Sequence, residues 1–109
     1  MKISTEYTGG SLTVFLDGEL DHHSAKDTVD RIEREIESCL PRDFILDMRE
    51  LSFMDSSGIA VVLRANRKLT HCGGRMHIEN PQQQPLKVLD ASGIDRLIAI
   101  RDTTGEVKT

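Results

Sequence analysis

Two hydroxyl side chains that directly follow a carboxylate, in Asp55-Ser56-Ser57, are the residues of this sequence best placed to do chemistry. An apolar, strand-like segment precedes them, and Gly58 opens the apolar run of residues 59–63. A serine at a strand-to-helix junction can accept a backbone N–H of the first helical turn and so cap the helix. The free N–H groups and the helix dipole also favour an anion there. The sequence therefore predicts either an ordinary cap or a place for a phosphate.

A second cluster of polar side chains is Asp21-His22-His23, which contains potential metal ligands. In an extended loop, adjacent histidine rings are expected to point to opposite sides. No other His or Cys pair is placed to complete a zinc site, since His71 and His77 stand alone. We therefore predict no metal site and expect this cluster to be loop polarity or a partner contact.

Sequence motifs of hydrolases and nucleotide-binding proteins are missing. The residues around Ser56 read M-D-S-S-G rather than the G-x-S-x-G of a nucleophile elbow. Neither the GxxxxGK[ST] nor the GxGxxG phosphate-binding loop occurs. The sequence thus predicts neither an enzyme nor a bound cofactor.

The composition is typical of one soluble globular domain. Of 109 residues, 38% are hydrophobic and 29% charged, and aromatics make up only 4%, so the core must be aliphatic. The net charge of −4 argues against nucleic acid and anionic membranes as direct partners. Two cysteines without CxxC spacing favour reduced thiols in the cytoplasm. No apolar segment typical of a signal peptide follows the first residues, and the longest apolar run is too short to cross a membrane.

Patterns in the first half of the chain predict a β-hairpin, a helix and a buried strand. The hairpin strands are 2–8 and 11–17, with a Gly-Gly turn between them and Gly18 as the end of the second. A helix then begins at Ser24, which we expect to cap it together with Asp27. Its apolar stripe is Ala25, Val29, Ile32, Ile36 and Leu40, and Pro41 ends it; a strand over 44–48 and a loop over 49–55 follow.

The second half predicts two more helices and two more strands. The helix over 57–70 is apolar almost all round in its first half, which predicts that this half is buried or packs on something else. The chain then continues with a strand over 75–79, a polar loop over 81–85 and a short helix that ends at Gly93. It ends with a strand over 97–100 and a frayed polar tail over 102–109. The order ββαβαβαβ predicts a single α/β domain with a mixed, four- to five-stranded sheet covered by helices.

Two motifs together resemble those of the bacterial anti-sigma factor antagonists, the STAS domain family. The first is L-D-G-E-L-D-H-H-S-A at residues 16–25, and the second is F-I-L-D-M-R-E-L-S-F-M-D-S-S-G-I at residues 44–59. Gly73-Gly74 before a strand, and L-K-V-L-D-A-S-G-I at residues 86–94, resemble the later part of the family. The similarity covers nearly the whole chain and is strongest to the sporulation branch.

The resemblance implies a switch rather than an enzyme. In this family, the unphosphorylated antagonist binds an anti-sigma factor that is itself a GHKL-type serine kinase, and the sigma factor is released. The kinase phosphorylates the serine after the Asp of the D-S-S-G motif, the complex dissociates, and a PP2C-type phosphatase reverses the reaction. Here the matching acceptor is Ser56, with Ser57 as the helix cap and Gly58 as a point of close partner approach. The implied partner-binding residues are Asp21, His22, His23, Asp55, Ser56, Ser57, Gly58 and Ile59.

One departure from the sporulation-type pattern concerns the C-terminus. Such proteins usually end in a helix, whereas residues 103–109 are short and polar, so we expect that helix to be reduced or absent. The alternative function is a STAS scaffold or transporter-associated subunit without phosphoregulation, in which Ser56 is only a cap.

Overall fold

A computed structural model describes residues 1–103 and has the predicted order of elements, with a short 3-10 turn at Ile94–Arg96 before the last strand. The order of strands and helices predicted from the sequence is confirmed. The strands are β1 (Lys2–Thr8), β2 (Ser11–Leu20), β3 (Asp43–Met54), β4 (Arg75–Glu79) and β5 (Ala99–Arg101), and the helices are α1 (Ala25–Cys39), α2 (Ser56–His71) and α3 (Gln83–Ser92).

The five strands form one mixed sheet in the order β1-β2-β3-β4-β5. β1 pairs antiparallel with β2 through the Gly9-Gly10 turn, and every later pair is parallel. Each parallel step is made by one helix, and α2 contacts both α1 and α3. Right-handed crossovers that always advance in one direction place all three helices on the same face of the sheet.

The core lies between this helical layer and the sheet. Its side chains are almost all aliphatic, as the composition predicts; among residues 1–103, Phe44 is the one buried aromatic side chain. Alternate residues of β2, Leu12, Val14 and Leu16, are buried beneath the helices, while Thr13 and Phe15 on the other face are half-buried.

The two central strands are longer than predicted. Gly18 does not end β2; with φ +126° it occupies a backbone conformation that favours glycine, and the register shifts on both sides of it. The prolonged β2 pairs with β3 from Asp17 opposite Glu50 to Leu20 opposite Met54. The predicted loop over 49–55 is therefore wrong, because most of it is the second half of β3.

Three further details differ from the sequence predictions. Leu40 leaves α1 in a left-handed conformation and is 62% exposed, so the buried stripe ends at Ile36. The first half of α2 buries one face only, since Leu63 is 41% exposed. The last strand begins at Ala99, and Leu97 is exposed.

The C-terminal predictions are only partly within the described residues. Thr103 is not frayed, because its backbone N–H donates to Asn80 Oδ1 at 2.8 Å. The rest of the predicted tail, and the predicted loss of a C-terminal helix, lie outside the described residues. Within residues 1–103, none of the helices has the length and apolar character that a membrane crossing needs.

Candidate functional site

The junction between β3 and α2 places Ser56 at the first position of a helix. Asp55 is the N-cap, in extended conformation, and its Oδ1 accepts the backbone N–H of Ser57 at 2.8 Å. The prediction that Ser57 caps the helix is therefore wrong, since Ser57 supplies the N–H that is capped. Both serine hydroxyls are free of the capping role, and Ser56 is exposed to solvent.

The N-terminus of α2 suits an anion at Ser56. The first turn of the helix carries no acidic side chain beyond the Asp55 cap. Backbone N–H groups of a first turn and the helix dipole attract negative charge. A phosphate on the exposed Ser56 hydroxyl would thus meet a favourable field from the backbone and an unfavourable one from Asp55.

The turn that follows β2 is organised by Asp21. Its Oδ1 accepts the backbone N–H groups of His23 at 3.0 Å and Ser24 at 3.1 Å. The hydrogen bond from the Ser24 N–H is the largest cause that holds the pKa of the Asp21 carboxyl below its usual range. Desolvation acts in the opposite direction, and the hydrogen bond from the His23 N–H lowers the pKa further. Ser24 makes no capping bond with its side chain, contrary to the sequence prediction; its Oγ donates to the Glu19 carbonyl at 2.9 Å.

The two histidines of this turn lie side by side. The rings of His22 and His23 have centroids 3.9 Å apart and are tilted by 38°. The prediction that they point to opposite sides is wrong, because the chain turns here instead of remaining extended. Both side chains are exposed and face solvent beside Asp21.

The sheet brings this turn and the Ser56 junction together. Leu20 and Met54, the last residues of β2 and β3, are paired, and the Asp55 N–H donates to the Leu20 carbonyl at 3.3 Å. Asp21 and Asp55 therefore begin adjacent loops at one edge of the sheet. Of the residues predicted to bind a partner, Asp21, His22, His23, Asp55, Ser56, Ser57 and Ile59 are exposed or half-buried at this edge.

Gly58 differs from the other predicted site residues because it is buried. A Cβ built on it would lie 2.7 Å from Met54 Cγ and 3.1 Å from Leu20 Cδ2. The absence of a side chain is thus explained by packing within the chain. A partner contact at Gly58 stays a prediction.

Sequence reasoning missed two glutamines near the end of β3. Gln84 of α3 bonds both backbone groups of Met54: its Oε1 accepts the N–H at 2.9 Å and its Nε2 donates to the carbonyl at 3.0 Å. Gln82 Nε2 donates to the Arg49 carbonyl at 2.7 Å. No local signal could have revealed these contacts, because a glutamine beside a polar loop is equally compatible with solvent.

The exposed side of α2 is partly neutralised by α1. Arg64 Nη2 lies 3.0 Å from Glu33 Oε1, and Lys68 Nζ lies 2.9 Å from Glu37 Oε1. The Glu37 bond, foremost, raises the pKa of Lys68. These basic side chains are bound to the chain's own carboxylates, which is not the arrangement of a phosphate-binding surface for nucleic acid.

Comparison with known proteins defines the class of this fold and site. The STAS domain family matches residues 2–107, and the chain belongs to that family. The anti-sigma F factor antagonist of Paenibacillus polymyxa is 32% identical over 106 residues, which are 94% of this chain and 87% of the relative. The anti-sigma F factor antagonist of Lysinibacillus sphaericus is 36% identical over 87 residues, which are 80% of this chain and 74% of the relative.

Two solved structures agree with these relatives. The anti-sigma factor antagonist SpoIIAA in its unphosphorylated form is 31% identical, with a TM-score of 0.81 over 95% of this chain and 90% of that chain. The Bacillus cell fate determinant SpoIIAA in the phosphorylated form is 32% identical, with a TM-score of 0.73 over 95% and 93%. The family resemblance and the single α/β domain expected from the sequence are confirmed.

Proposed function

We propose that this chain is an anti-sigma factor antagonist switched by phosphorylation of Ser56. In the unphosphorylated state it binds an anti-sigma factor that is also a GHKL-type serine kinase, and the sigma factor is released for transcription, in sporulation by likeness to SpoIIAA. Transfer of phosphate from ATP to Ser56 ends the complex, and a PP2C-type phosphatase restores it. The chain acts in the cytoplasm by binding proteins, without turnover of its own and without direct contact to nucleic acid or membrane.

The observation that carries this proposal is the position of Ser56. It is the one exposed residue of the D-S-S-G motif, at the start of α2 and beside the Asp21 turn. Its hydroxyl is free to react because Asp55 performs the capping. The names of the relatives, and the existence of SpoIIAA in both phosphorylation states, support the same role for the matching serine here.

Charge explains how phosphate would end binding. Asp21, Asp55 and the phosphate, which adds about −1.5 to −2 charges, would stand at one edge of the sheet. A contact surface that accommodates the neutral hydroxyl must then bury an added charge. Unpaired buried charge is penalised by several kcal/mol, so affinity should fall steeply unless the partner supplies a cation.

The direct test is to incubate the protein with its cognate kinase and ATP and to locate the phosphate by mass spectrometry. We expect phosphate on Ser56 of the wild type and of the control Ser57→Ala, and none on the Ser56→Ala variant. Binding of the kinase by Ser56→Asp should be at least about 100-fold weaker than that of the wild type, roughly 2.8 kcal/mol. Phosphate on another residue, or full binding by Ser56→Asp, would contradict the proposal and favour the scaffold function.

A further inference from the structure

β3 extends beyond its neighbour β4 on the side of α3. The β3–β4 pairing runs from Asp43 opposite Arg75 to Asp47 opposite Glu79 and stops there. The remainder of β3, up to Met54, therefore has a strand partner only on the β2 side. Backbone groups that point towards α3 need other partners or water.

Gln84 replaces the missing strand at the last residue of β3. Its carboxamide accepts the Met54 N–H at 2.9 Å and donates to the Met54 carbonyl at 3.0 Å, as the C=O and N–H of one residue in an adjacent antiparallel strand would. On the opposite side, the next N–H, that of Asp55, is bound by the Leu20 carbonyl. The backbone immediately before Ser56 is thus fixed from two sides.

We propose that Gln84 is a positioning residue for phosphorylation: it fixes the backbone that presents the Ser56 hydroxyl to the kinase, although it has no contact with Ser56 itself. This inference rests on the proposed function of Ser56. Transfer to a hydroxyl depends on its alignment with the reacting phosphorus, and small misplacements slow such reactions strongly. Of the ordinary side chains of this length, only a carboxamide both donates and accepts in one plane, which makes the residue type specific.

The effect on the kinase should appear in kcat more than in KM. Removal of the Gln84 carboxamide leaves the exposed partner-binding side chains in place but lets Met54 and Asp55 shift relative to Leu20. Initial binding of the kinase is then largely retained, while the fraction of complexes with an aligned hydroxyl falls. A residue that merely stabilised the fold would raise the apparent KM, because less of the added protein is folded, and would leave kcat unchanged.

The matched control is Gln82, which lies at the same end of α3 and bonds a β3 carbonyl five residues earlier, at Arg49. We would compare Gln84→Ala, Gln84→Glu and Gln82→Ala with the wild type in steady-state phosphorylation, thermal unfolding and amide hydrogen exchange of the free protein. The Glu variant retains the acceptor for the Met54 N–H but, when ionised, has no donor for the Met54 carbonyl.

We expect Gln84→Ala to lower kcat for Ser56 about tenfold with KM within about twofold. The kcat of Gln84→Glu should lie between that of Gln84→Ala and that of the wild type. Gln82→Ala should leave kcat unchanged, although it lowers the midpoint of thermal unfolding by about as much as Gln84→Ala does. Only the Gln84 variants should accelerate amide hydrogen exchange at Met54 and Asp55. Equal kcat values for Gln84→Ala and Gln82→Ala, or unaltered exchange at Asp55, would overturn the inference.

Failure of the proposed function gives a different result. In that case the wild type itself receives no phosphate on Ser56, and the inference about phosphorylation is refuted with it. A phosphorylated wild type combined with an unaffected Gln84→Ala variant refutes the inference alone. The exchange measurement needs no kinase and decides separately whether Gln84 fixes the backbone before Ser56.

Discussion

Asp55 caps α2 and leaves the Ser56 hydroxyl free for the proposed phosphorylation. A hydroxyl that served as the cap would already accept a backbone N–H, and its conversion to a phosphate ester would replace that capping oxygen. Here the cap is the Asp55 carboxylate on the N–H of Ser57, and Ser56 contributes only its backbone to the helix. We therefore expect phosphorylation of Ser56 to leave the start of α2 intact.

This division predicts different stabilities for three variants. Asp55→Ala should lower the free energy of unfolding by about 0.5–2 kcal/mol, because an orphan N–H of α2 loses its acceptor. Asp55→Asn retains an acceptor oxygen and should lose much less, and Ser57→Ala should stay within about 0.5 kcal/mol of the wild type. Urea unfolding of the four proteins measures this; equal losses for Asp55→Ala and Ser57→Ala would show that Ser57 shares the capping.

Gly58 gives a second prediction at the residue scale. Replacement of glycine by alanine within a helix normally stabilises it by about 1 kcal/mol. The new Cβ would lie 2.7 Å from Cγ of Met54, a side chain buried in the core, and such overpacking typically destabilises by about 1–3 kcal/mol. We expect a net loss for Gly58→Ala in thermal unfolding.

A double-mutant cycle identifies the cause of that loss. Met54→Ala removes Cγ and every atom beyond it, so Gly58→Ala should be less harmful in that background than in the wild type. Additive losses would indicate that Met54 does not determine the need for glycine at this position.

The sequence predicted which side chains lie together at the candidate site better than it predicted the contacts among them. Three consecutive side chains, Asp55, Ser56 and Ser57, can each cap a helix, and the choice among them depends on backbone angles that local composition does not determine. Gln84 was not predicted because its partner is the backbone of Met54, thirty positions away. Residue types reveal candidate groups, whereas pairing with a distant main chain leaves no pattern.

At the scale of elements, the continued pairing of β2 with β3 builds the functional edge. Gly18 interrupts the alternation of β2, and Arg49-Glu50 interrupts the apolar run of β3, so residues 18–20 and 49–54 were predicted as loops. Their pairing is a tertiary effect, made possible by Gly18 in a conformation that favours glycine. Strongly periodic segments such as β4, predicted as 75–79, were found with those bounds because their pattern is local.

The Asp21 turn should depend on pH in the acidic range. Its carboxylate accepts the Ser24 and His23 N–H groups, and its pKa is lowered in the folded protein. A lowered pKa means that the stabilisation is fully present above the unfolded value of about 3.9 and is lost as the pH falls through the lower, folded value. We expect amide exchange at His23 and Ser24 to report opening of the turn only below about pH 4.

The control for this prediction is Asp21→Asn, which keeps an acceptor oxygen but cannot titrate. Its turn should show no such transition in the same pH range. NMR titration of the Asp21 carboxyl in the wild type measures the pKa directly, and a value at or above the usual range would refute the assignment of the two N–H bonds as its cause.

At the scale of the whole molecule, the layered fold separates the core from the proposed switch. The helices and the core occupy one face of the sheet, while Ser56 and the Asp21 turn lie at the edge where β2 and β3 end. A change at the exposed Ser56 thus meets solvent and little of the core. The proposed switch would then change binding without a change of fold.

This separation predicts that phosphorylation at Ser56 leaves stability nearly unchanged. The dipole of α2 favours the phosphate by about 0.3–1 kcal/mol, and repulsion from Asp55 opposes it by a similar amount. The free energies of unfolding of the two forms, measured in urea at equal ionic strength, should therefore agree within about 1 kcal/mol, while affinity for the kinase falls about 100-fold or more. The control for phosphate at other sites is the Ser56→Ala variant treated with the same kinase. A loss of several kcal/mol on phosphorylation of the wild type would instead mean that the switch works by melting the first turn of α2.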